Sequence, residues 1–290
     1  MPLPFIPSRR EAQLISRALL SVARALEETI GDCMSASPPE QSQASVWFRS
    51  RDPSDVAKHV MQGFLAVEFA TLSAADHLRG LNVLVRSVPP LTTSAVTLAR
   101  GALESTAKAW YFTTAPNVTE FLLRYLSSRH AEYRYPMHFN ESLLSLGGEE
   151  VDPTEGAAET LRELSRLGFA RPEKVDISSR VAALLDAADG SEGGRKNYSG
   201  LSSVAHAEHI GLANFYSFDR EANRGKLTLR RELILELVSV LVLAAIQHLA
   251  ELCRVFGDQA PHIARLEATS ERAMGAVLSL FDGAERDASR

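Results

Sequence analysis

At 290 residues, with 45% hydrophobic and 23% charged residues, the chain is long enough to bury a full core and too apolar to be mostly disordered. Its formal charge of −5 gives no strong nucleic-acid signature, so any such binding must rest on a local cluster such as Arg124, Arg129 and Arg134. The two cysteines, Cys33 and Cys253, form no metal or redox motif, and neither an export signal nor a bilayer-length apolar run is read, so a cytoplasmic location is expected.

Ser8 is placed to cap a first helix running to about Gly31, with Leu14, Ile15, Ala18, Leu19, Val22, Leu26 and Ile30 as its apolar stripe. Residues 32–46, rich in Ser, Pro and Gln, read as a linker or exposed loop. The expected division is therefore an N-terminal helix and linker at 1–50, a main helical domain at 51–282 and a polar tail at 283–290. Asp52-Pro53-Ser54-Asp55 is a helix start, and the helix it opens runs to about Ser87 with Glu68 on a mainly apolar face. Pro89-Pro90 breaks the chain, and Thr92 or Thr93 restarts it as a helix to about Thr114. Asn117 and Glu120 look like a capping box, Gly147-Gly148 marks a turn, and Asp152-Pro153 and Asp176 open two further helices. The most apolar helix is expected from Thr228 to about Phe256, and a last one from Asp258. The predicted fold is all-α: a multi-helix bundle of long amphipathic helices around one very apolar central helix, with no sheet.

The densest polar stretch is Arg195 to His209, directly after a glycine-rich loop at 189–194. On a helix from about Lys196 to Ile210, the side chains of Arg195, Tyr198, Ser202, His206 and His209 fall within roughly a quarter-turn of one another. Tyr198, Ser202 and His206 are the candidate catalytic residues, an imidazole to take a proton beside a phenol to orient or donate. The plain reading, given equal weight, is a satisfied polar seam between helices. Arg100 and Glu104, one turn apart on an otherwise apolar helix, are with Arg195 the candidate substrate contacts; a wet stripe continued by Lys108 is their plain reading.

No cofactor is the favoured expectation. The alternative is iron or manganese held by His206, His209, Glu68 and Glu104, a mixed nitrogen and carboxylate set lacking the Glu-x-x-His pairs of helical di-iron sites. There is no Gly-x-Ser-x-Gly, no P-loop and no dinucleotide fingerprint.

At Arg100-x-x-x-Glu104-x-x-x-x-x-Trp110-Tyr111 and Tyr198-x-x-x-Ser202-x-x-x-His206 the chain resembles a diffuse group of uncharacterised all-helical bacterial proteins, some of them similar to the HEPN superfamily. The resemblance spans residues 54–256. It implies a homo-oligomeric binding or RNA-directed accessory protein in stress or phage defence, with RNA or protein as partner and no membrane. In HEPN ribonucleases an arginine, a polar residue, a short spacer and a histidine form a metal-independent RNA-cleaving site. Arg124 and His130 have that separation, but Tyr125 stands where the family prefers Asn, Asp or His, and Arg195 and His206 are too far apart. A ribonuclease would use His206 or His130 as base. The other readings are a helical metal-dependent oxidase of di-iron or manganese type and a purely structural or interaction protein.

Overall fold

The structure, a computed structural model, describes the chain apart from residues 1–5, 50–54, 88–90, 140–141, 145–149, 175, 191, 214, 220–222, 229, 258–259 and 289–290. The fold is all-α, as the periodicity predicts. In chain order the elements are α1 (Arg9–Ser35), α2 (Gln43–Arg49), α3 (Asp55–Val85), α4 (Thr92–Thr113), α5 (Val118–Phe139), strands β1 (Leu143–Leu144) and β2 (Glu150–Val151), α6 (Pro153–Arg166), α7 (Ile177–Asp189), α8 (Gly194–Ala205), α9 (His209–Ala213), strands β3 (Tyr216–Asp219) and β4 (Arg224–Leu227), α10 (Arg231–Phe256) and α11 (Ala260–Ala288). Asp52-Pro53-Ser54, Pro89-Pro90, Gly147-Gly148 and Asp258 lie outside the described residues.

The helix starts follow from local chemistry. Ser8 accepts a hydrogen bond from the Glu11 N–H while the Glu11 carboxylate accepts one from the Ser8 N–H, so two otherwise orphaned donors are satisfied at once. Asp152 and Asp176 cap α6 and α7 in the same spirit, through the N–H groups of Thr154 and Ser178. Most of the stability comes from burial. Ile15, Leu19, Val22 and Leu26 of α1 join Leu78 and Leu81 of α3, Leu103 of α4 and Val238, Leu241 and Val242 of α10 in one core. α10 packs against α1, α4, α7 and α11, which makes it the apolar central helix expected from its composition. By length and composition it is also the one helix among the described residues that could cross a membrane.

Three local features depart from the sequence reading. α1 continues to Ser35, and α2 forms where a loop is expected because Trp47, 3% exposed, anchors it: its ring lies 4.7 Å from that of Phe121 and stacks on Phe64 in a second core. Two short antiparallel pairs, β1 with β2 and β3 with β4, punctuate the helices, and α10 accordingly starts at Arg231 rather than Thr228. Finally, the helix expected from Lys196 to Ile210 stops at Ala205. The Ala207 N–H donates to the Val204 carbonyl at 3.0 Å and the Glu208 N–H to the Ser203 carbonyl at 2.8 Å, with Ala207 at φ 55°. This is a Schellman closure with alanine at the left-handed position that usually holds glycine. Ala207→Gly should therefore stabilise the protein by about 0.5–1 kcal/mol, read as a raised urea midpoint at unchanged slope. A lowered midpoint would contradict this account of the turn.

Candidate functional site

α3 and α4 pack closely along their length because small groups meet there. A Cβ on Gly101 would come within 2.8 Å of the His77 imidazole, and the Ser73 and Ser105 hydroxyls lie 3.1 Å apart. With α4 held this way, its next row of side chains, Arg100 and Glu104, meets α8. Arg100 Nε donates to Glu104 Oε1 at 2.6 Å, Tyr198 Oη donates to the same oxygen at 2.5 Å, and the second arm of Arg100 donates to His206 Nε2 at 2.9 Å. A guanidinium has no acceptor, so Nε2 of His206 carries the lone pair and its proton sits on Nδ1.

The four residues form one network running from a buried phenol to an exposed imidazole, with Tyr198 only 4% exposed. Burial, reinforced by the Glu104 carboxylate, pushes the Tyr198 pKa up to about 12, so the phenol stays a neutral donor. Burial opposes the charge on Arg100, yet Glu104 outweighs it and raises the arginine's pKa. Arg100 and Tyr198 both find acceptors inside the network, which is the behaviour of a seam that joins α4 to α8. Tyr198→Phe should cost about 1–2 kcal/mol of stability by removing a hydrogen bond to a charged group. Urea unfolding of the variant tests this, and an unchanged midpoint would show the bond to be dispensable.

The other predicted site residues are placed differently. Ser202 is half-buried one turn before His206, and its hydroxyl makes no hydrogen bond among the described residues. Arg195, in the first turn of α8, is exposed and donates to Ser179 of α7 at 3.3 Å, so it does not join the network. His206 sits at the exposed C-cap rather than in a buried pocket, because the helix ends there. The break also separates it from His209, which is exposed at the start of α9. Glu68 is half-exposed on α3. Among the described residues no three His, Cys, Asp or Glu side chains gather as a metal ion requires, so His206, His209, Glu68 and Glu104 do not form the donor set considered for iron or manganese.

The basic run on α5 is largely engaged internally. Arg124 donates to Glu120, to the Tyr111 carbonyl at 2.6 Å and to Thr114, and Arg129 donates to Tyr133 and Gln62. Arg124 and His130 are also six positions apart on one helix, which sends them to different faces.

A stronger basic feature lies elsewhere. Arg9, Arg17 and Arg24 of α1, Arg86 beyond the end of α3 and Arg272 of α11 line one open groove of about 760 Å³, with no carboxylate in its wall among the described residues. All five are exposed, and none has an ion-pair partner among the described residues. The acidic residues of α1 are engaged elsewhere: Glu11 with Arg231 at 2.7 Å, Glu27 with Arg79, and Glu28 and Asp32 with Arg265. Ion pairing thus leaves α1 with a free basic face. The sequence signal for it was the seven-residue spacing of Arg17 and Arg24, which repeats on one helix face. Arg86 and Arg272 are added only by the tertiary fold.

Comparison with protein-family models, with curated proteins and with solved structures finds no match for this chain.

Proposed function

We propose that this protein is an HEPN-like, RNA-directed accessory protein that binds the phosphodiester backbone through the arginine groove between α1, α3 and α11. The observation that carries the reading is the gathering on one concave surface of five arginines without ion-pair partners among the described residues, in a chain whose formal charge is −5. Like charges held together favour an anion that covers them, and repeated guanidinium groups suit a ligand whose phosphates also repeat. Gln13, Ser16 and Ser21 in the same wall add neutral hydrogen-bonding groups suited to phosphate and the ribose 2′-hydroxyl. Among the described residues no aromatic side chain lines the groove, so binding is expected to rest on the backbone and to depend little on sequence.

RNA is the polymer that the HEPN resemblance implies. An anionic bilayer is the competing partner, but the groove is concave and Leu20 is the one large apolar side chain among the described residues that line it, whereas a membrane-binding helix presents a broad apolar face. Fluorescence anisotropy with a short unstructured RNA, beside co-sedimentation with phosphatidylserine vesicles, separates the two. We expect RNA binding with a Kd of about 10 µM or tighter at low salt, and protein left in the supernatant with vesicles. No RNA binding at low salt would remove the proposal, and vesicle binding in its place would assign the groove to a lipid surface.

A further inference from the structure

A second cleft, of about 360 Å³, opens between α4, α5 and α7 and shares Glu104 with the polar network. Its wall brings together Glu104, Lys108, Glu132 and Arg180 with the hydroxyl-bearing Ser105 and Ser128. Arg180 is only 8% exposed. No carboxylate lies within ion-pair distance of its guanidinium among the described residues. Its main support is the ring of Tyr111, whose centroid lies 4.0 Å away, and that ring also receives Arg124 at 4.4 Å. Burial, reinforced by the like charge of Arg124, depresses the pKa of Arg180, opposed by Tyr111 and by the charge of Glu173. A buried cation with five donors and no paired anion is costly to maintain, and here it borders an opening large enough for a ligand.

The opposite polarity is present in the same wall. Arg100 and Tyr198 both bond Oε1 of Glu104, and Lys108 bonds Oε1 of Glu132 at 2.5 Å. The second oxygen of each carboxylate has no hydrogen-bond partner among the described residues. One uncompensated guanidinium and two open carboxylate oxygens complement a molecule that carries both charges. The cleft volume falls at the small end of the range for ligand sites, about 300–1,000 Å³.

We propose that this cleft binds a small zwitterion of amino-acid size, with a carboxylate or phosphate on Arg180 and an ammonium between Glu104 and Glu132. The inference goes beyond RNA binding and is independent of it, since none of these residues belongs to the arginine groove.

The test is calorimetry and thermal shift on the full chain with each common α-amino acid and with phosphoethanolamine, beside acetate and ethylammonium as single-charge probes. At least one zwitterion should bind at millimolar concentration or below and raise Tm, while neither single-charge probe does so at the same concentration. Amino acids alone giving the signal would place a carboxylate on Arg180, and phosphoethanolamine alone a phosphate. Glu132→Gln, at an exposed position, should weaken binding about tenfold or more. Arg180→Met should abolish it while leaving the Tm of the ligand-free protein unchanged or higher, because an uncompensated buried cation is removed. Both variants should bind RNA as the wild type does. Failure of every zwitterion to bind the wild type, an equal response to acetate, or full binding by Glu132→Gln and Arg180→Met would each overturn the proposal.

Discussion

Changing Arg17 and Arg24 together to alanine is expected to weaken RNA binding about tenfold or more at low salt, because each lost guanidinium removes a charge-assisted contact to phosphate. The effect should be nearly uniform across RNA sequences, since the contacts are to the backbone. Stability should change by no more than about 0.5 kcal/mol, because both side chains are exposed and without ion-pair partners among the described residues. Changing Arg166 and Arg254 together to alanine removes two exposed arginines outside the groove that pair with Glu163 and Glu251, and serves as the control for net charge alone. Equal losses in the control and the groove variant would mean that the groove has no special role and that the chain responds only to its overall charge.

The second large effect concerns acid stability and arises in the core. His248 is fully buried, and its Nε2 lies 2.9 Å from the Thr71 hydroxyl, which itself donates to the Val67 carbonyl at 2.8 Å. The hydroxyl has one proton, so Nε2 of His248 must be the donor and Nδ1 the bare nitrogen. Nδ1 has no hydrogen-bond partner among the described residues, and burial drives the pKa of the imidazole down to about 3. The folded protein therefore keeps His248 neutral while the unfolded chain takes up a proton below pH 6.5. More protons bound by the unfolded state means that stability falls as pH drops from 6.5 towards 3 and is present in full above that window. At a pH two units below the unfolded value the loss from this residue is about 2.5 kcal/mol. Urea unfolding from pH 8 to pH 4.5 should show that His248→Leu is close to wild type at the upper end and clearly more stable at the lower end. Parallel curves for the two proteins would exclude His248 as the source of acid sensitivity.

Much of the fold was legible in the sequence because helix boundaries are set by local groups. Ser8 with Glu11, Asp152 with Thr154 and Asp176 with Ser178 are contacts over two or three residues, and each cap forms where its residue type places it. The polar network was legible for the same reason, since Arg100 with Glu104 and Tyr198 with His206 follow helical spacing on two helices. What stayed hidden depends on distant parts of the chain. Nothing local stops α8 at Ala205, because the turn is closed by an alanine in a left-handed conformation rather than by glycine or proline. α2 is recruited by Trp47, with Ala44 and Phe48 beside it, into a core built from distant parts of the chain.

The basic surface shows the limit most plainly. Adjacent arginines on α5 suggested a cluster, yet Arg124 and Arg129 are bonded to Glu120, Tyr133 and neighbouring groups. The groove instead draws on positions as far apart as Arg9 and Arg272. Spacing reveals which charges share a helix face, whereas only the fold reveals which of them remain uncompensated.

The measurement that tests the central claim most directly is the salt dependence of RNA binding by the wild-type protein. If each of the five groove arginines neutralises one phosphate of a single strand, the logarithm of the binding constant should fall with the logarithm of salt concentration at a slope of about −3.5. Removing Arg17 and Arg24 should bring the slope to about −2. Tight binding with a slope near zero, or the same slope in both proteins, would contradict the assignment of the groove to an RNA backbone.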